Sequence, residues 1–121
     1  MSDQPVLDSN SLENLRALSP DDGGAFVREV IEIFLQETPS RLTELDRALA
    51  AADVPAITHL AHSIKGSCAN FGATRLAAVS LAMELAAKRS DVPAARAAGP
   101  ELVAAYDATR VALENFLRDL K

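Results

Sequence analysis

The sequence predicts an all-α protein: an antiparallel up-and-down four-helix bundle with a short additional N-terminal helix. Three observations carry that prediction. Alanine (23) and leucine (16) make up about a third of the 121 residues, with five aromatics and no tryptophan. That mix favours helices that approach closely and suits a β-sandwich poorly. Apolar residues recur at helical spacing in segment after segment, and none shows the alternation and turn chemistry of paired strands. The connections are short, which sets successive helices antiparallel.

Residues 1–10 are polar, carry Pro5, and are expected as a flexible N-terminal arm ahead of a single domain over residues 11–121. Ser11 to Leu18 predicts a short helix with Leu12, Leu15 and Leu18 on one side, stopped by Ser19 and Pro20. Asp21 and Asp22 then precede a long apolar-periodic run, where carboxylates favour a helix start. Its expected core face is Phe26, Val27, Val30, Ile33 and Phe34, then Leu42, Leu45 and Leu49. Pro39 lies inside that run and predicts a kink or break near Thr38.

Asp53-Val54-Pro55 and Asp91-Val92-Pro93 are matching helix starts, each with an aspartate to cap and a proline in the first turn. Gly72 is expected to stop the first of these helices, and Thr74 to cap the next, which runs to about Arg89. Gly99-Pro100 punctuates the last stretch; beyond it Leu102, Tyr106, Thr109, Leu113, Phe116, Leu117 and Leu120 keep a helical stripe.

Composition narrows the function. With 49% hydrophobic and 24% charged residues the chain has the makings of a core, which argues against disorder. A formal charge of −5 argues against nucleic acid or an anionic membrane as the main partner. The lone cysteine, Cys68, has no internal disulfide partner, and neither a signal peptide nor a membrane-length apolar run is present. These features lead to the expectation of a cytoplasmic protein, with a monomer as the default. Met1 and a stripe reaching Lys121 further suggest a complete small protein.

One helix breaks this bland pattern. Along the helix that starts at Val54 and runs to Asn70, residues Ile57, Leu60, Ala61, Ile64 and Cys68, with Phe71 just past its end, fall on one arc at about 100° per residue. His62 lies about 150° from the centre of that arc, flanked by Lys65, Gly66 and Ala69 on the outer side. Glycine inside a helix costs about 1 kcal/mol relative to alanine. Gly66 is therefore either a tolerated defect, a close contact within the bundle, or a bare patch that lets another protein approach His62.

Folding the chain back at Gly72 brings Glu84 to the height of His62. The helix bearing Glu84 is apolar almost all round, through Leu76, Val79, Leu81, Ala82, Met83 and Leu85, with Ser80, Glu84 and Lys88 as its one polar wedge. Glu84 and Lys88 read either as an ordinary i,i+4 ion pair or as part of a site. In the second reading Glu84 accepts a hydrogen bond from His62 Nδ1–H and leaves the Nε2 lone pair outward.

The run His62-Ser63-Ile64-Lys65-Gly66-Ser67, followed by Phe71-Gly72, resembles the signature of histidine-containing phosphotransfer (HPt) domains. The likeness in helical layout extends from about Asp21 to Leu120. The resemblance implies that His62 is phosphorylated, that Lys65 is the cation near the phosphoryl group, and that Gly66 is the close-approach position beside the small Ser67 and Ala69. It implies a Gln or Glu at Glu84 to hold the imidazole, and a second basic residue at Lys88. The implied partners are receiver domains of response regulators and hybrid sensor histidine kinases, which would supply an aspartate and a Mg²⁺ ion.

Imidazole suits the task, being nucleophilic and largely neutral near pH 7 in model compounds. The chain offers no compact acidic cluster for its own metal and no Gly-rich phosphate loop, so no cofactor and no ATP-dependent kinase activity are expected. His59 and His62 lack a third ligand at helical spacing, so His59 reads as a solvated surface residue and no metal site is assigned. Cys68 reads as a small buried hydrophobe and Phe71 as core. Two other functions are open: the phosphotransfer module of a chemotaxis-type histidine kinase, and a protein that docks on receivers without phosphotransfer.

Overall fold

In the computed structural model, which describes residues 5–120, the chain forms five helices: α1 (Ser9–Ala17), α2 (Ala25–Ala51), α3 (Val54–Cys68), α4 (Thr74–Lys88) and α5 (Val92–Asp119). No strand occurs among the described residues. Helices α2 to α5 pack in a ring, each against the next, with α5 closing back on α2. That is the expected four-helix bundle, and α1 lies against α2 as the additional short helix. The tightest pair is the α3–α4 hairpin, and the loosest ring contact is the α2–α5 seam.

The helix starts follow the capping rules. Asp53 and Asp91 each accept a hydrogen bond from the backbone three residues on, at Ala56 and Ala94, with proline in the first turn. Asp22 accepts from the Gly24 and Phe26 amides ahead of α2. Inside the ring lie Ile31 and Leu45 of α2, Ile57 and Ile64 of α3, Leu76 and Met83 of α4, and Leu102 and Leu113 of α5, all essentially without solvent contact. Phe34 and Phe71 meet edge-on at 5.1 Å and close one end of the core.

Several expectations need correction. Helix α2 continues through Pro39 and α5 through Gly99-Pro100, so neither proline ends a helix. An interior proline costs roughly 3 kcal/mol. Core residues on both sides, Phe34 and Leu45 in α2 and Ala95 and Leu102 in α5, hold the two halves of each helix in one packing and offset that cost. Phe26 and Ile33 face solvent at 37% and 46% exposure, because the buried stripe of α2 centres on Val27, Ile31 and Phe34. Leu81 and Leu85 of α4 are also outward.

Helix α1 begins at Ser9 with Asp8 as its cap, two residues earlier than predicted. Helix α3 stops at Cys68, ahead of Gly72, and Ala73 rather than Thr74 takes the cap position of α4. The Thr74 hydroxyl instead donates to the Pro5 carbonyl, which also accepts from the Arg75 amide. The Asp8 amide donates to the Gly72 carbonyl. The described part of the expected arm is thus fastened to the α3–α4 turn. Met1 to Gln4 lie outside the described residues. Gly72 makes this junction possible: its φ is +60°, and a Cβ there would fall 2.5 Å from Asp8 Cβ and 2.6 Å from Ser11 Oγ.

Candidate functional site

The site grows from the α3–α4 hairpin. Ile57, Ala61, Ile64 and Cys68 are sunk in the core and fix the rotation of α3, and that rotation turns His62 outward. The His62 side chain is 64% exposed. Its Nδ1 lies 3.0 Å from Glu84 Oε2. Glu84 reaches from α4, whose own rotation is fixed by Leu76, Val79, Met83 and Ala87.

Glu84 is the hub. Its side chain is only 3% exposed, yet three basic groups converge on its two oxygens. Lys65 Nζ donates to Oε1 at 2.9 Å, while Lys88 Nζ lies 3.2 Å from Oε2, the oxygen that faces His62. The Lys65 hydrogen bond is the main reason its carboxyl is pulled down to about 2, with Lys88 and His62 adding to the effect against the cost of burial. An ionised carboxylate only accepts, so the ring hydrogen is assigned to Nδ1 from the group that faces it. Nε2 then keeps its lone pair and has no protein partner among the described residues.

The pattern of Lys88 satisfies both sequence readings at once: an i,i+4 ion pair that is also part of the imidazole's surroundings. The other predicted residues separate clearly. Gly66 is exposed, and a Cβ built on it would meet nothing within 4 Å, so close packing within the bundle is not its reason. Ala69 is exposed at the end of α3. Ser67 turns its hydroxyl onto the Ile64 carbonyl at 2.9 Å, so its small size is what it brings to this surface. Ser80, read as part of the polar wedge with Glu84, is fully buried and donates to the Leu76 carbonyl.

His59 is exposed, and among the described residues no group of three or more His, Cys, Asp or Glu is arranged to hold a metal. Cys68 is buried, its thiol pushed up to about 12 by burial, and Phe71 sits in the core. Sequence reasoning missed one neighbouring surface. A shallow cleft lined by Ser11, Asn14, Leu15, Leu18, Ala69 and Asn70 runs between α1 and the end of α3, with Leu18 70% exposed. The signal was present: Leu18 sits beside the Ser19-Pro20 stop, where a helix end has little left to cover it.

A bundle that presents one oriented imidazole, backed by a buried carboxylate and two lysines, is the architecture of a histidine phosphotransfer module. The family model for the Hpt domain matches residues 29–120, and the chain belongs to that family. Among solved structures, it is similar to histidine-containing phosphotransfer protein B (HptB) from Pseudomonas aeruginosa PAO1. The TM-score is 0.87 and the identity 27%, over 97% of this chain and 98% of that one. It also shares the fold of the histidine-containing phosphotransfer protein ZmHP2 from maize, at a TM-score of 0.83 and 21% identity, over 93% and 83% of the two chains. Among curated proteins, Multistep phosphorelay regulator 1 of Schizosaccharomyces pombe is 25% identical over 76 residues. That match spans 63% of this chain and about a quarter (26%) of the longer relative.

Proposed function

We propose that the chain is a phosphorelay intermediate: His62 accepts a phosphoryl group from an aspartyl phosphate on one receiver domain and passes it to the aspartate of another. The observation that carries this reading is the exposed imidazole whose Nδ1–H is held by Glu84 at 3.0 Å, leaving Nε2 as the nucleophile. In the forward step the Nε2 lone pair attacks phosphorus, an N–P bond forms, the Asp O–P bond breaks, and the aspartate leaves as a carboxylate. The Nδ1 hydrogen stays on the ring, where the Glu84 carboxylate stabilises the positive charge that develops.

Lys65 and Lys88 are held beside the reacting ring by the same carboxylate, positioned to offset charge on the phosphoryl oxygens. Gly66, with Ser67 and Ala69, keeps that side of α3 low, so that a partner's backbone can reach the imidazole. The cleft beside Leu18 adds apolar surface for the same partner. The receiver supplies the Mg²⁺ ion, and the chain has no ATP-dependent step of its own. Both the HptB likeness over nearly the whole chain and the phosphorelay relative support this reading.

The test is transfer from a panel of purified, phosphorylated receiver domains. Wild-type protein is expected to gain an acid-labile, base-stable label, His62→Gln to gain none, and ATP alone to label neither. Equal labelling of His62→Gln would remove His62 from the reaction.

A further inference from the structure

Helix α4 has a side that the site does not use. Met83 is fully buried and marks the core direction. Glu84 lies about 100° round from it, and Leu81 and Leu85 lie about 60° and 100° further on. Both leucines face solvent, at 41% and 44% exposure. Ala82 is exposed as well, and Lys88 and Arg89 sit at the same end of the helix. A helix that is apolar on its outer as well as its inner side signals a surface that another molecule covers.

The distance to His62 and the local charge identify the occupant. A standard interface covers about 800 Å² on each partner, a disc of roughly 16 Å radius, whereas neighbouring helix axes lie about 8–10 Å apart. Because His62 and Glu84 are in hydrogen-bond contact, such a disc centred on the imidazole spans the outer face of α4. Between Val54 and Ser90 there are four basic residues (Lys65, Arg75, Lys88 and Arg89) and one acidic residue, Glu84. That hairpin carries a formal +3 in a chain of −5, which leaves −8 for the rest. It attracts an acid-rimmed partner, and it disfavours a second copy approaching with the same basic face.

We infer that the outer face of α4, Leu81 and Leu85 bordered by Lys88 and Arg89, is a docking surface for the receiver domain and helps to set which receivers are accepted at His62. This rests on the phosphorelay reading and adds a specificity surface to it. The leucines supply apolar contact that strengthens docking without touching the phosphoryl group, so their loss should raise KM and spare the saturated rate.

The experiment compares wild type with the Leu81→Gln, Leu85→Gln double variant, using one receiver that labels the wild type. Glutamine matches leucine in helix propensity, so the fold is expected to persist, with an unchanged melting curve as the check. At low receiver concentration transfer should fall about tenfold or more, with the saturated rate within about twofold. Labelling of His62 by phosphoramidate, a donor too small to need docking, should not change. As a charge arm, Arg89→Glu should slow transfer at low salt and lose that effect above about 0.5 M salt. Unimpaired receiver transfer in the double variant would overturn the inference, and so would an equal loss of phosphoramidate labelling, since the leucines would then act on His62 itself. A wild type that no receiver labels, although phosphoramidate does, would overturn the phosphorelay reading and this inference with it.

Discussion

The α3–α4 face and the α2–α5 seam lie on opposite sides of one bundle and use the same sequence device, a glycine within a helix, to different ends. On the first, a Cβ on Gly66, beside the outward His62, would meet no described atom within 4 Å outside its own stretch of helix. On the second, Gly99 precedes Pro100 beside a groove of about 690 Å³ lined by Leu42, Leu45, Leu49, Leu102 and Val103, and its missing Cβ would lie 3.7 Å from Leu49 Cδ1. The seam also keeps two buried hydroxyls, Thr38 Oγ1 on α2 and Tyr106 on α5, without a protein hydrogen-bond partner among the described residues. The relay face, in contrast, satisfies its one buried charge three times over. Tight packing and polar satisfaction are concentrated where an imidazole must be held still, and the looser packing is left to the far side.

The strongest way to break that contrast is to remove the charge at the hub. Glu84→Gln keeps the shape and can still accept from Nδ1–H, but it no longer holds two lysines. Transfer through His62 is expected to fall about 10- to 100-fold, the usual cost of losing a group that orients a reactive histidine. Stability at neutral pH should drop by about 1–2 kcal/mol, toward the lower end because both lysines can reach water. The pH dependence has a definite sign. The folded carboxyl lies at about 2, below its ordinary 4.5, so ionised Glu84 stabilises the fold fully above pH 4.5 and loses that effect as the pH falls through about 2. Denaturant titrations between pH 5 and pH 2 should show a steeper loss for wild type than for Glu84→Gln. Parallel curves would mean that Glu84 is not the carboxylate the fold depends on.

A second test, which reads stability without transfer, concerns the turn that anchors the N-terminal segment. At Gly72 the φ of +60° and the 2.5 Å approach to Asp8 leave no room for a side chain. Gly72→Val is expected to cost about 1–3 kcal/mol and to free the Asp8 and Arg75 amides, which bond across this junction, for hydrogen exchange while the rest of the α3–α4 hairpin stays protected.

How much of this was legible in sequence follows from the range of the interactions involved. The helix starts at Asp53 and Asp91 were legible because a cap is a three-residue event, and the outward turn of His62 because the buried arc of α3 is dense and unambiguous. The pairing of His62 with Glu84 followed from counting similar lengths on either side of the Gly72 turn. The break allowed for at Pro39 and the boundary read at Gly99-Pro100 do not occur, because a local helix-breaking rule ignores the core residues that flank each proline, and those residues outweigh it. Phe26 and Ile33 misled because a periodic stripe wider than half a helix does not say which edge the neighbours cover. Lys65 was read as a cation for phosphate; that it rests on Glu84 at 2.9 Å depends on side-chain reach between two helices, which no local pattern encodes.

The two glycines sharpen the opening contrast most directly, because alanine at each adds one methyl to a helix and only one of the two methyls stands beside His62. Gly66→Ala adds a methyl group that meets nothing within 4 Å, so helix propensity alone should raise stability by about 1 kcal/mol. The same methyl stands where a receiver must come close, so receiver-dependent transfer should slow about tenfold while phosphoramidate labelling is unaffected. Gly99→Ala places its methyl in ordinary contact with Leu49, but Pro100 disfavours a helical residue with a Cβ just ahead of it, so the gain should be smaller than at Gly66. Being on the far side of the bundle, it should leave transfer within about twofold of wild type. Melting curves and receiver titrations on the pair decide the matter. If both substitutions slow transfer alike, helix stiffness governs the relay; if neither does, Gly66 is a defect the helix tolerates and the receiver approaches His62 from another side.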